Sequence, residues 1–541
     1  MATNISTTLE VVLAQEAGCS VDQVFTFASR TMNIVAVALT ARRPVHLYLG
    51  AQPAPFTPAQ LATLALLGAD LALLPGQPRP SGEAVVLGHS SVARVGDPGL
   101  DGVVEDNILY ISAAGRINPA DILVIRKRMA TPATTPVVEA MLQARAGVAV
   151  TANTGRASAE GVAEFHAHLQ QLCGTEVNPA ASPVVFTAGL PALCAVWVSL
   201  VQRGGADVLM CSTAYGGSSQ LTDLLHAKVP AFRKHTFDIQ GRAADMVQRI
   251  TARLADLAAA PAELAPTTVV FIEVPTNPDM KVPDMEPLSA AVLDYRSRTG
   301  KEVFLMIDNT FAPGSQVLAK LRRLAPELPA LVFTSLSKSV SRGLTTGGAI
   351  TANHAPEAAA LLGDVRRVSG LLDTAAKEDQ LLFLVQNHKQ VEQRCQSAYS
   401  VAVAAGEALQ AAVLQMTGQQ MPLAFVQPEH GSQGFTSSTF SFNLPAPRAA
   451  TAAVTEALAQ RFVDLLCAHP EFKPCVSFGQ DNGLVYATVP ATSTQGAIKA
   501  EDKAKQAVGG VQLVRLSFPP TCSVDKVATI IRDSTTTVYT E

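Results

Sequence analysis

Residues 302–338 read EVFLMIDNTFAPGSQVLAKLRRLAPELPALVFTSLSK, and this stretch decides how the chain folds. Two apolar, β-rich runs, EVFLMI and ALVFTS, flank a segment, SQVLAKLRRLAP, with apolar residues at helical spacing. Neither run alternates polar with apolar residues, which is how a strand covered on both faces reads. Strand, helix, strand in this order is the unit of a parallel sheet. Outward from it, TVVFIE before VPTNP and DVLMC before STAYGG have the same form, and SAAVLDYRSRTG is the helical pattern between TVVFIE and EVFLMI. The expected class is α/β. In an open sheet of this kind the ligand lies off the carboxyl ends of the strands, so the residues that close each run converge on one crevice. Those residues are Tyr215-Gly216-Gly217, Asn277, Asp308 and Lys338: an aromatic, an amide, an acid and an amine around one space.

Composition narrows the possibilities. The 541 residues include 45 acidic and 41 basic ones, a net charge of −4, with no block of Lys or Arg, so neither nucleic acid nor an anionic membrane is an expected partner. With 48% hydrophobic and 16% charged residues the chain is too apolar for disorder. Eight widely spaced cysteines without a C-x-x-C pair, and a start without a secretory pattern, lead us to expect a reduced, cytoplasmic setting. The uncharged segment Asn178 to Gln202 is interrupted by Gly189 and Pro191 and reads as a strand, a turn and a buried helix rather than a membrane span. His166 and His168, two apart on a predicted helix, point in different directions, and no metal site is expected. Phosphate-loop, dinucleotide-loop and nucleophile-elbow motifs are absent from the sequence.

Three units are expected. Residues 1–150 show helical patterns at Ser20 to Arg42 and Thr57 to Gly68 and short strands at Ala84 to Leu87 and Ile108 to Ile111; their role stays open between an interface, a pocket cap and another binding function. Residues 151–395 hold the sheet, beginning with a helix capped by Ser158 and Gly174. Residues 396–541 read as long helices followed by a smaller α+β unit with strands near FTSSTFSF, GLVYATV and VQLVRLSF.

The set at the strand ends suits pyridoxal phosphate, which needs a Lys to hold it, an acid for its ring nitrogen and an aromatic to stack on the ring. EVPTNPDM, IDNTFAPG, SLSKSVSRG and TAYGGS resemble the ordered signatures of the Cys/Met-metabolism pyridoxal-phosphate enzymes, the family of cystathionine γ-synthase, cystathionine γ-lyase and methionine γ-lyase. The resemblance spans about residues 150–541. It implies fold type I, with a mostly parallel seven-stranded sheet in the large domain, a small C-terminal domain and, here, an extended N-terminal region.

By that resemblance Lys338 would hold the cofactor and move protons, Asp308 would pair with the ring nitrogen, Tyr215 would stack on the ring, and Asn277 would bond its phenolic oxygen. The amides of Gly189 and Leu190 would cradle the phosphate with the hydroxyls of Ser335 and Ser337. Arg515, in V-R-L-S, would grip the substrate carboxylate, with Ser477 nearby. The family's Y-S-R-x-x-N-P-T segment reaches into a neighbouring subunit's site, its Arg onto the cofactor phosphate and its Tyr toward the substrate; Arg156 aligns with that Arg and Thr154 with that Tyr, a small hydroxyl in place of the phenol, and Arg116, in R-I-N-P-A, is the less favoured alternative. A homodimer or homotetramer with shared sites is implied. The implied activity is γ-elimination or γ-replacement on an L-amino acid bearing a sulfur or O-acyl leaving group at Cγ. The alternatives are loss of a non-sulfur leaving group such as halide from an unusual unsaturated amino acid, β-elimination by a C-S lyase, and a non-catalytic protein that binds pyridoxal phosphate.

Overall fold

The computed structural model describes residues 2–113, 115–151, 155–237, 242–446, 451–488 and 513–540. Its centre is a sheet of seven strands: β7 (Val184–Phe186), β8 (Ala206–Cys211), β9 (Phe232–Phe237), β10 (Thr267–Glu273), β11 (Glu302–Asp308), β12 (Ala330–Ser335) and β13 (Gly348–Ala352), in the order β7-β13-β12-β11-β10-β8-β9. Strands β12 through β9 are parallel and β13 alone runs against its two neighbours. All of β8 and β10, and all of β11 but its first residue, is buried, as the unbroken apolar runs require. Parallel register puts Glu273 directly beside Asp308, so the carboxyl ends of two neighbouring strands present two acids.

The uncharged segment becomes β7 followed by helix Gly189–Gln202, buried at every residue except Leu190 and Gln202. The capped helix runs Ala159–Cys173: Ser158 accepts from the Gly161 amide, and Gly174 takes φ +82°, a left-handed conformation that glycine adopts without strain.

Residues 1–150 hold a second α/β sheet, built from β1 (Val24–Thr26), β2 (Val45–Tyr48), β3 (Leu71–Leu74), β4 (Val85–His89), β5 (Gly102–Glu105) and β6 (Ile108–Ile111) in the order β1-β6-β5-β4-β2-β3. The helical pattern expected over Ser20 to Arg42 is divided, because Val24–Thr26 pairs antiparallel with β6 and only Met32–Thr40 is an α-helix. The buried residues of this unit and those of the central sheet form one continuous core, which includes Phe27, Leu39, Ile122, Trp197 and Phe271.

The C-terminal unit carries β14 (Leu423–Ala424), β15 (Thr439–Phe442), β16 (Phe472–Pro474), β17 (Gly483–Thr488) and β18 (Leu513–Ser517), ordered β14-β15-β18-β17-β16, over a separate core around Phe440, Phe462 and Leu516. Helix Val391–Thr417 is long and apolar enough to cross a membrane, but half of that apolar window is buried inside the protein. All eight cysteines are unpaired thiols.

Candidate active site

At the carboxyl ends of β10 and β11 the acids Glu273 and Asp308 lie side by side, 5% and 8% exposed. Burial pushes both pKa values up, to about 8 for Glu273, where the Asp308 charge adds to the rise, and to about 6 for Asp308. Glu273 accepts from the backbone amides of Tyr215 (2.6 Å) and Asn277 (3.1 Å), tying together the loops that follow β8 and β10. Sequence reading missed Glu273: as the last residue of a strand it looks ordinary, and only the register shows its neighbour. Asp308 accepts from the Thr310 amide (2.9 Å) and feels the Lys338 charge, which pulls its pKa down against burial.

Lys338 sits in the loop after β12, its amine donating to Ser477 at 3.0 Å and lying 5.4 Å from the centre of the Phe478 ring. Burial lowers its pKa, so a neutral amine is easier to reach there than in water. Ser477 and Phe478 belong to the C-terminal unit, which docks on the Lys338 loop through the Arg342–Asp481 ion pair. From the same unit Arg515, 6% exposed on β18, donates to the Asn277 amide oxygen. Burial lowers the Arg515 pKa, while Tyr486 and Glu273 oppose the fall. Asn277 thus serves Arg515 directly, a contact that motif reading did not anticipate. Phe311 stacks on Phe478 (4.3 Å between centres, 15° between planes), and Arg515 lies 5.5 Å from the Phe311 ring. The amine and the guanidinium therefore flank one aromatic wall, visible only once the two units are folded together.

Tyr215 is the residue before helix Gly216–Lys228. Burial raises its pKa and the nearby Arg128 charge lowers it, with the phenol neutral on balance. A Cβ on Gly217 would lie 2.5 Å from the Tyr215 ring, so the glycine leaves the ring its place. Gly189 begins its helix with free amides, and a Cβ there would meet the Ser335 hydroxyl at 3.3 Å, so these two groups form one small cradle together with the Leu190 amide.

One expectation changes. Ser337 exchanges hydrogen bonds with Gly347, accepting from its amide (3.0 Å) and donating to its carbonyl (3.2 Å), so its proton holds that loop rather than reaching the cradle. Arg116, the less favoured alternative to Arg156, forms a 2.7 Å pair with Asp101. Arg156 is exposed and Thr154 lies outside the described residues. His168 meets His388 (2.7 Å between their Nδ1 atoms) and Glu392 (3.3 Å), a side-chain network away from the strand ends, and no group of three metal-ligating residues occurs among the described residues.

The donor set fits pyridoxal phosphate: a buried acid, in no ion pair among the described residues, for the ring nitrogen, a buried amine whose charge reaches that acid, a neutral phenol to cover the ring, and a helix start with a hydroxyl for the phosphate.

Residues 163–325 match the family model of the Cys/Met metabolism PLP-dependent enzymes, a segment that holds Tyr215, Asn277 and Asp308. No curated protein matches the chain. Among solved structures, a cystathionine gamma synthase from Xanthomonas oryzae pv. oryzae, solved in complex with cystathionine, is 21% identical with a TM-score of 0.52, over 70% of this chain and 86% of that one. A cystathionine gamma-lyase from Micromonospora echinospora is 22% identical with a TM-score of 0.51, over 70% and 87%. A cystathionine gamma-lyase from Lactobacillus plantarum, solved with L-serine, is 18% identical with a TM-score of 0.50, over 70% and 86%. The structures share the fold, fold type I, and the family model makes the matched segment that of a pyridoxal-phosphate-dependent enzyme.

Proposed function

We propose that this pyridoxal-phosphate-dependent enzyme removes or exchanges the γ-substituent of an L-amino acid, the leaving group being sulfur or an O-acyl group. The observation that carries this reading is the wall Phe311–Phe478 with Lys338 at one end and Arg515 at the other. A guanidinium suits the planar carboxylate of an amino acid, and the rings suit an apolar or thioether arm. Bound at Asp308 and Lys338, the cofactor supplies an electron sink that makes the Cα proton of an amino acid acidic.

The chain's own residues have distinct parts. Arg515, oriented by Asn277, holds the α-carboxylate. Lys338, with its depressed pKa, takes the proton from Cα and delivers it elsewhere, while Ser477 keeps its amine in place. Asp308 would supply the negative charge that the ring nitrogen needs, and Glu273 holds the loop that positions Tyr215. Tyr215, neutral at physiological pH, covers the ring and can donate a proton to a departing group.

The test uses purified protein with cystathionine, O-acylhomoserines, methionine, a halogenated unsaturated amino acid and a cysteine conjugate, assayed for keto acid, ammonia, thiol and halide. Release from Cγ supports the reading; halide release alone moves the substrate to a non-sulfur one, and turnover of the cysteine conjugate alone makes the enzyme a β-eliminating lyase. Borohydride should fix the cofactor on Lys338, and a label on any other lysine would discard the assignment. We also propose a homodimer or homotetramer in which exposed Arg156 is offered to a neighbouring copy; a monomer in sedimentation would discard it.

A further inference from the structure

The phosphate of the cofactor is a dianion, and the cradle of amides and one hydroxyl gives it no cation from its own chain, Arg156 being offered to a neighbouring copy. This inference rests on the cofactor reading above and concerns the source of that cation. Helix Pro119–Met129 of the N-terminal unit packs against both helix Gly189–Gln202 and helix Gly216–Lys228, the two whose first turns border the cradle and Tyr215. Its last turn carries three basic residues. Arg126 is paired with Glu10 and Lys127 is exposed. Arg128 is partly buried, and its Nε donates to the Gln220 amide oxygen on helix Gly216–Lys228.

No carboxylate among the described residues pairs with Arg128; besides Gln220, the titratable group near enough to interact with it is the neutral Tyr215 phenol. Withdrawing part of a guanidinium from water without an anion beside it is unfavourable, so this cation is placed for a charge that its own chain does not pair with it. Two observations at the same helix starts point the same way. The Ser218 hydroxyl, in the first turn of helix Gly216–Lys228, is 0% exposed and has no hydrogen-bond partner among the described residues, and the Thr187 hydroxyl, two residues before Gly189, is 1% exposed and likewise without one there. The N-terminal unit reaches the second helix start too: Ser29 donates to the Leu372 carbonyl (2.7 Å), close to Thr374, whose carbonyl accepts from the Thr187 amide (2.9 Å).

We propose that Arg128 binds the phosphate of the cofactor, so that the N-terminal sheet unit supplies a cation to the cofactor site from within one chain, in addition to the Arg156 offered by a neighbouring copy. The substrate carboxylate is the other anion of the site, and the cation assigned to it is Arg515, which lies against Phe311.

The test compares pyridoxal 5′-phosphate with pyridoxal, which has the same ring and aldehyde but no phosphate, by equilibrium binding to the apo form of the full chain. Arg128→Met is expected to weaken pyridoxal phosphate by roughly 10- to 100-fold and to leave pyridoxal unchanged, the size of a lost charge-assisted hydrogen bond. Arg128→Lys should restore part of the affinity, because a single ammonium keeps the charge and loses the fork. An Arg128→Met protein that binds pyridoxal phosphate as the wild type does, or that loses both ligands equally, overturns the inference and leaves the cofactor reading standing. A wild-type protein that binds neither ligand overturns both. If instead the affinity for a dicarboxylic amino acid falls while that for pyridoxal phosphate holds, Arg128 faces substrate and the phosphate assignment is wrong.

Discussion

Lys338, Asp308 and Tyr215 were legible as single letters because a parallel sheet aligns the ends of its strands, so the residue after each apolar run must share a crevice with the next. Glu273, Arg128 and Phe478 were not legible, since their relevance depends on register, on packing of a distant unit and on docking of the C-terminal loop. The acid pair has a measurable consequence. Both carboxyls have pKa values raised by folding, Glu273 to about 8, so the protonated forms favour the fold; this contribution is complete below the ordinary carboxylate range and is lost as pH rises through the raised values. The apo protein should therefore melt at a lower temperature at pH 9 than at pH 6, and Glu273→Gln should remove much of that slope; a slope that is unchanged in the variant would disprove the assignment. Arg515→Ala should raise KM for the amino acid by about 10- to 100-fold, the usual cost of losing a charge-assisted bond, with cofactor absorbance retained. Loss of the cofactor along with substrate affinity would place Arg515 elsewhere in the mechanism.

At the scale of elements, the uncharged segment after Asn178 was readable as strand, turn and helix because Gly189 and Pro191 fall where a helix begins, and the structure places Gly189 at the first helical position. Residues 20–42 were not readable in the same way: their apolar pattern suits a helix, but VFT finds a partner in β6, and pairing with a sheet decides the matter. The start of helix Gly189–Gln202 allows stability and binding to be separated. Gly189→Ala improves helix propensity by up to about 1 kcal/mol, yet its Cβ would meet the Phe333 ring at 3.1 Å and the Ser335 hydroxyl at 3.3 Å. The expected result is a melting temperature that hardly changes beside pyridoxal-phosphate affinity weaker by about tenfold, the cost of mild overpacking in the cradle. Unchanged affinity would mean that the cradle lies elsewhere.

At the scale of the molecule, the first 150 residues carried no chemical motif, and their contribution is physical. Helix Gly189–Gln202 is apolar on all sides, and a helix of that kind needs cover on every face. The central sheet covers one side, helix Pro356–Leu371 another, and the N-terminal unit a third, with Gln202 bonded to Thr63 and Lys228 to the Leu39 carbonyl at the far ends of the two cradle helices. Because the N-terminal and central sheets share one core while the C-terminal sheet has its own, the chain should not unfold as three independent parts. Leu39→Asp, which places a charge at a fully packed position of the shared core, should lower the transition of the first two units together and release bound cofactor in the same step. Phe462→Ala, which opens a cavity in the C-terminal core, should cost about 3–5 kcal/mol in a transition of that unit. Calorimetry with cofactor absorbance recorded in parallel distinguishes these outcomes. If Leu39→Asp melted residues 1–150 alone and left the cofactor bound, the N-terminal sheet would be a passenger, and its cover of the central helix would count for little in holding the site.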